Sequence, residues 1–404
     1  MNSFDFLANL FVNLAEWITG YLLLWGFSSV FANLIVRILG ALAMAIFPIA
    51  AVVFLIWEAR KVIARIQDRM GPTSDGTYAG PFALLQTFAD VIKIFTKELI
   101  IPEGVDKGIF IIAPVIVIAV AVSNWAVIPL GPEGMQVVDL DLGVFYIIAM
   151  SSFTPFSMIL AGWSSRNKYA DVGAFRAVSQ IISYEVPLVL AVLIPCMLTG
   201  SMSLQDIIQE QHVPFILIIP VTALIYFLAS TAEIGRLPFE LAEADSEIVS
   251  GYSTEYSGML FGSFYLAEFI NNFTASVVFT IVFLGGWRGP GVATYPILGL
   301  FWILLKAFIV FNIFMLFWAA MPRLRIDQVL SFNWKFMVPL ALCNLVLVAC
   351  VDKLLAFYIN PMWWQRAVAL SALNLVMILA LIGFLQIVGL RMKKSKSQAG
   401  FSST

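Results

Sequence analysis

Charge is scarce in this chain, and metal-binding side chains are scarcer. Only 12% of its 404 residues are charged and 61% are hydrophobic, whereas soluble globular proteins are about 25% charged. Too little polar surface remains to coat a soluble fold, so the composition is that of an integral membrane protein. Lys and Arg number 23 against 25 Asp and Glu, a net charge of -2, which removes any bulk-charge argument for binding nucleic acid. There is one histidine, His212, and three cysteines, Cys196, Cys343 and Cys350, with no CxxC spacing. That excludes an iron–sulfur, haem or zinc site built from this chain alone. Internal repeats and low-complexity linkers are missing too. What is abundant is aromatic: 34 Phe and 11 Trp, most of which suit lipid-facing surfaces and interfacial belts.

Apolar runs of about 20 residues cross a bilayer as helices, because helices satisfy their own backbone there. Nine such runs are read, at 33–58, 109–130, 141–162, 178–199, 214–232, 262–284, 296–320, 337–358 and 367–390. They make one membrane domain over 33–390. The intervening segments 59–108, 163–177, 233–261, 321–336 and 391–404 hold 18 of the 23 basic residues. Lys and Arg collect on the cytoplasmic side, so the carboxyl terminus and the long 59–108 segment are expected in the cytoplasm and the amino terminus outside. Residues 1–32 are apolar, with Asp5 and Glu16 as their only charges, and lack the basic start of a signal peptide. They are expected to lie in the outer interface, the alternative being a further span. The polar, basic stretch 391–404 reads as a disordered cytoplasmic tail.

The informative residues are the ionisable ones that fall inside runs: Glu185, Glu268 and Lys306. Each costs about 2.5–3.5 kcal/mol at a helix centre, so each is expected to face protein or water rather than lipid. A second concentration is the segment 232–256, with acids Glu233, Glu240, Glu243, Asp245, Glu247 and Glu255 and a single base, Arg236. If Pro238 opens a helix, Glu240, Glu243 and Glu247 share one face. Such a set is either an acid-enriched helix start in water or a hydrated, acid-lined path into the bilayer. A third feature is the stretch WEARKVIARIQDRMGP, in which Arg60, Lys61, Arg65 and Arg69 follow the first run. Two Gly-Pro pairs then bracket a turn-rich loop, and PFALLQTFADVIKIFTKE reads as an amphipathic helix carrying Asp90, Lys93 and Lys97. The fourth is PRLRIDQ at 322–328, with Arg323 and Arg325.

These motifs, in this order, resemble the membrane subunit of respiratory complex I known as NADH dehydrogenase subunit 1, or the H subunit. The similarity runs from about residue 50 to about residue 345. It is carried by Arg60-Lys61, Ala64-Arg65-Ile66-Gln67, Gly71-Pro72, Gly80-Pro81-Phe82, Leu84-Leu85-Gln86, Ala89-Asp90, Lys168-Tyr169 and Gly173-Ala174-Phe175-Arg176. It continues in Ile182-Ser183-Tyr184-Glu185, in the 232–259 segment ending Thr254-Glu255-Tyr256-Ser257-Gly258-Met259, and from Pro322-Arg323 to Asp327-Gln328. No single piece is decisive; five in order are highly specific. The chain departs from the pattern at Ala59, where glutamate is usual and the carboxylate stands one place earlier at Glu58, about 100° around a helix. Gly235 stands where asparagine is usual, Ala242 where proline is usual, and Asp245 where glutamate is usual. The loop between the Gly-Pro pairs is longer than usual, and the ninth run with its tail exceeds the shorter members.

The resemblance implies an all-α membrane protein of about nine transmembrane helices whose long cytoplasmic loops form part of a quinone chamber, within a proton-translocating NADH:quinone oxidoreductase. It implies that quinone is a substrate of unspecified type, that flavin and iron–sulfur clusters reside in partner subunits, and that partners include both peripheral-arm and membrane-arm subunits, with lipid around them. Acids matching Glu185, Glu233, Glu243, Asp245, Glu247, Glu255 and Glu268 belong to, or border, a carboxylate path from chamber to pumping arm. Arg60, Arg65, Asp90, Arg236, Arg323 and Arg325 sit in or near the chamber. The absence of a transit-like segment favours a bacterial cytoplasmic membrane. The rivals are the anchor subunit of a related membrane-bound hydrogenase-type complex and a stand-alone ion transporter.

Overall fold

The computed structural model describes residues 10–73, 81–132, 136–242, 245–358 and 362–401, and every regular element among them is helical. In order they are α1 (Leu10–Leu24), α2 (Ser29–Ile66), α3 (Gln86–Thr96), α4 (Lys107–Ser123), α5 (Gly143–Ser151), α6 (Phe153–Ser164), α7 (Lys168–Thr199) and α8 (Leu204–Glu210). There follow α9 (Phe215–Ile218), α10 (Pro220–Ile234), α11 (Asp245–Ile248), α12 (Gly258–Phe283), α13 (Ile297–Ala320), α14 (Ile326–Phe332), α15 (Val338–Tyr358) and α16 (Trp363–Phe401).

Eight of the nine expected spans correspond to helical stretches long and apolar enough to cross a membrane. The ninth, expected over 214–232, is split. Pro220 has no amide to donate and keeps the preceding residue out of helical geometry, and Ile219 stands at φ -128°, ψ 60° between α9 and the shorter apolar α10. A second proline interrupts the run at 141–162. Pro155 has no amide for the Ser151 carbonyl, and the run breaks at Ser152 into α5 and α6.

Three expected boundaries move. α2 runs on through Arg60, Lys61 and Arg65 to Ile66, since nothing from Ala59 to Ile66 is a helix breaker. α7 begins at Lys168, ten residues before the apolar run, because Asn167 caps it by accepting the Tyr169 amide at 3.0 Å. Helix α16 continues to Phe401, so the tail expected to be disordered is helical that far.

α7 and α12 form the centre. Of their most apolar windows 61% and 78% is buried, against 17% for the first and last spans. α7 packs on α6, α10 and α15, and α12 on α4, α13 and α2. Near its start α7 meets the acid-rich segment at van der Waals closeness: a Cβ on Gly173 would stand 2.4 Å from Gly251 Cα, and one on Gly251, at φ +58°, would stand 1.9 Å from the Ala242 carbonyl oxygen. Only glycine fits that crossing. Lys306 has a structural role. Its ammonium donates to the carbonyls of Leu284, Gly286 and Arg288 at 2.9, 3.0 and 2.7 Å, closing the turn that ends α12.

Candidate functional site

The site grows from the end of α10. Glu233 lies on its last turn, and Gly235 ends it in the left-handed region at φ +76°, with the Gly235 and Arg236 amides returning to Ala232 and Thr231. Glycine and asparagine are the residues that tolerate this cap position, which accounts for the exchange seen there in sequence. Gln180 of α7 donates to the Ala232 carbonyl at 2.7 Å and ties the two helices together.

The cap turns Arg236 inward, where it is 3% exposed. Its guanidinium lies 4.5 Å from the Phe269 ring and 4.2 Å from the Trp318 ring, with Nη1 3.4 Å from Glu268 Oε1. Two π faces and one carboxylate therefore compensate a buried cation. Among the described residues Nε and Nη2 have no hydrogen-bond partner, so the guanidinium keeps donors for a further acceptor.

Glu233 borders two cavities. One is lined also by Gln180, Glu240, Tyr252, Glu268 and Asn271. The other is lined by Asn124, Ser151, Tyr226, Asn271 and Thr274. Water centres have ≈ 60 Å³ available in the first and ≈ 80 Å³ in the second, against about 10–15 Å³ for one molecule, so each accommodates several waters. Orphaned buried atoms mark the same walls: Gln180 Oε1 and Asn124 Oδ1 have no partner among the described residues, and polar atoms in that situation recruit water. Glu185 lines neither cavity. It is half-buried on α7, accepts a hydrogen bond from the Ser152 hydroxyl, and is near enough to Glu233 to feel its charge. The α5–α6 break at Pro155 thus supplies Ser151 to one glutamate's cavity and Ser152 to the other glutamate.

The remaining acids separate. Glu240 pairs with Arg323 at 3.0 Å. Glu247 pairs with Arg176 of α7, and Glu255 accepts from Asn167 at 2.7 Å. Glu243 and the Asp245 side chain lie outside the described residues. Glu240 and Glu247 do not share the helical face expected of them, because Pro238 opens no helix: the backbone from Gly235 to Ala242 is irregular, and among the described residues the next α-helix is Asp245–Ile248. Glu240 and Glu247 consequently reach different helices. Tyr256 closes the segment, stacked on Phe110 with centroids 4.0 Å apart and donating to the Phe110 carbonyl at 3.1 Å. Burial pushes its phenol up to about 12, so it is a neutral donor.

Of the basic set, Arg60 pairs with Asp90, joining α2 to α3, and Trp57 donates to the Phe82 carbonyl at 3.0 Å beside it. Arg65 is exposed. Arg325 is 78% exposed and 3.8 Å from an equally open Asp327, so it joins no enclosed cluster. The structure therefore brings together Arg236, Glu233, Glu268, Glu240 and Arg323, with Glu185 adjoining, and separately Arg60 with Asp90. Sequence reasoning missed Phe269 and Trp318, which it grouped with membrane anchors, and Ser151, Ser152 and Asn271. It set Glu58 aside, yet that residue is 7% exposed and lies beside Asn312, with no hydrogen bond to Oε2 among the described residues; a glutamate within an apolar run was the available signal.

Comparison with known proteins gives the family of the chain. The family model described as NADH dehydrogenase matches residues 39–349. The H subunit of NADH-quinone oxidoreductase from Dehalococcoides mccartyi is 47% identical over 303 residues, 75% of this chain and 83% of the relative. The corresponding H subunit of Carboxydothermus hydrogenoformans is 41% identical over 338 residues, 83% of this chain and 95% of its own length. This chain belongs to the family of NADH-quinone oxidoreductase H subunits. It is thus a multi-pass membrane subunit of an oxidoreductase complex. All of the clustered residues fall inside the region that defines the family, whereas α16 lies beyond it.

Proposed function

We propose that this subunit forms the membrane wall of a quinone-reduction chamber and transmits the charge change of quinone reduction to a proton-pumping arm. The observation that carries the proposal is the placing of Glu233 between two water-sized cavities, with the Arg236–Glu268 pair on one side and Glu185 adjoining. Quinone enters laterally from the bilayer beneath the 59–108 segment, since its tail needs an apolar route and its headgroup a polar end. Reduction takes up two electrons, delivered by clusters in partner subunits, and two protons. Arg60 with Asp90, Arg65, Arg323 and Arg325 face the chamber side, and Arg236 offers its uncommitted donors to charge developing there.

A unit charge appearing about 7 Å from a carboxyl at an effective dielectric of about 20 is worth about 2 kcal/mol, more than tenfold in protonation. That is sufficient for Glu240, Glu268, Glu233 and Glu185 to exchange protons in sequence. Glu247 and Glu255 hold the loop against α7 through Arg176 and Asn167, and Glu243 and Asp245 extend the acidic rim. The basic ends of α2 and α7 face the cytoplasm of a bacterial cytoplasmic membrane, with the amino terminus outside, and dock peripheral-arm subunits. Purified complex carrying Glu233→Gln or Glu185→Gln is expected to lose quinone-linked turnover or pumping while electron entry to an artificial acceptor survives. Unchanged coupled turnover in both variants would remove them from the relay.

A further inference from the structure

α7 starts beside the acid-rich segment and ends at Thr199; its 32 residues carry it about 47 Å, more than the roughly 30 Å hydrocarbon thickness. Its far end therefore lies at the opposite membrane interface. There Leu198, the α8–α9 connection and the start of α16 line a cleft with ≈ 120 Å³ available to water centres. Its floor is apolar and buried: Phe215, Ile218 and Leu370 are 7%, 9% and 1% exposed. Its rim is polar, with Glu210, His212 and Arg366.

Arg366 is held rigidly. Nε donates to the nearly buried Asp352 and Nη2 to the Leu198 carbonyl at 3.0 Å, which leaves Nη1 uncommitted among the described residues. His212 stands on the rim with its ring 5.5 Å from that of Trp363, and Trp363 and Trp364 are exposed as interfacial tryptophans are.

The geometry points to a binding site for a zwitterionic aminophospholipid. The phosphate accepts from Arg366 Nη1 and the His212 ring, the ammonium donates to the Glu210 carboxylate, and an acyl chain runs down over Phe215, Ile218 and Leu370. Charge selects this class. Asp352 already neutralises Arg366 and Glu210 adds a negative charge, so the rim has no surplus of positive charge for an anionic headgroup, whereas in a zwitterion the ammonium finds Glu210 and the phosphate the Arg366 and His212 donors.

The test uses the whole purified assembly, delipidated and re-equilibrated with mixed micelles of phosphatidylethanolamine, phosphatidylcholine or phosphatidylglycerol, with retained lipid counted by native mass spectrometry. Ala367→Trp, which fills the cleft, is expected to retain one phosphatidylethanolamine fewer per complex than the parent. Glu210→Gln is expected to weaken that retention about tenfold, the worth of one charge-assisted hydrogen bond, and to leave phosphatidylglycerol unaffected. If Ala367→Trp does not assemble, Glu210→Gln and His212→Gln, both at exposed rim positions, carry the test. Equal retention by parent and variants, equal retention of phosphatidylglycerol at the cleft, or a neighbouring subunit's side chain filling it in a map of the complex would each overturn the proposal.

Discussion

The Arg236–Glu268 pair gives the sharpest prediction. At 3.4 Å and an effective dielectric of about 20, the two charges attract by about 5 kcal/mol. Glu268 is 26% exposed at its side chain, which trims that figure, and desolvation of the guanidinium offsets much of the rest. The net value of the pair is therefore small, while the cost of orphaning either partner is large, about 3 kcal/mol. Arg236→Gln leaves the Glu268 carboxylate without its cation, and Glu268→Gln leaves a buried guanidinium balanced by rings alone. The double variant orphans neither. Heat inactivation of the purified complex is the assay: each single variant is expected to fall well below the parent, and Arg236→Gln/Glu268→Gln to recover at least half of the loss. A cycle additive to within about 0.5 kcal/mol would refute the pairing, and with it the reading of Arg236 as a compensated buried charge. Arg236→Lys provides a second check, since an ammonium lacks the planar face that stacks between Phe269 and Trp318, and is expected to behave more like Arg236→Gln than like the parent.

Three further outcomes are expected. Gly251→Ala should abolish assembly on native gels, because its Cβ would stand 1.9 Å from a backbone oxygen, whereas Gly108→Ala, with nothing within 4 Å, should assemble normally. Arg323→Gln should lower quinone reductase activity severalfold by freeing Glu240, which lines the cavity with Glu233, and should also cost more stability than Arg325→Gln, since so exposed a pair as Arg325–Asp327 is worth about 0–1 kcal/mol. Tyr256→Phe should lower stability by about 1 kcal/mol without altering the pH profile below pH 9. The folded phenol titrates at about 12 against about 10 unfolded, so its contribution is whole below pH 10 and is lost only as pH rises through the folded value; a shifted acid or neutral limb would contradict this.

Legibility differed from feature to feature for identifiable reasons. Glu185 and Glu268 stood out because a charge in an apolar run is costly wherever the chain then folds, and Glu233 because it opens the acid-rich segment. The clasp on Arg236 did not: Phe269 and Trp318 carry the same hydropathy as residues that face lipid, and only the packing of α12 and α13 distinguishes them. The α9–α10 and α5–α6 breaks were written in Pro220 and Pro155, yet a hydropathy window averages across a single proline. The expected acidic face failed because the register assumed a helix after Pro238, and the paired arginines that draw Glu240 and Glu247 apart lie 83 and 71 residues away in sequence.

By itself the amino-acid order determined the solvent this chain lives in, its helical class, where most of its spans lie, and the family pattern it carries. These follow from local sums, of transfer free energy over a window and of backbone hydrogen bonds within one helix. Only the tertiary structure decided which carboxylates share a cavity, which arginine is enclosed, and that Lys306 closes a turn rather than facing a pathway. Those outcomes depend on distances between separate helices, and a distance between helices is a property of their packing that no window along one chain contains.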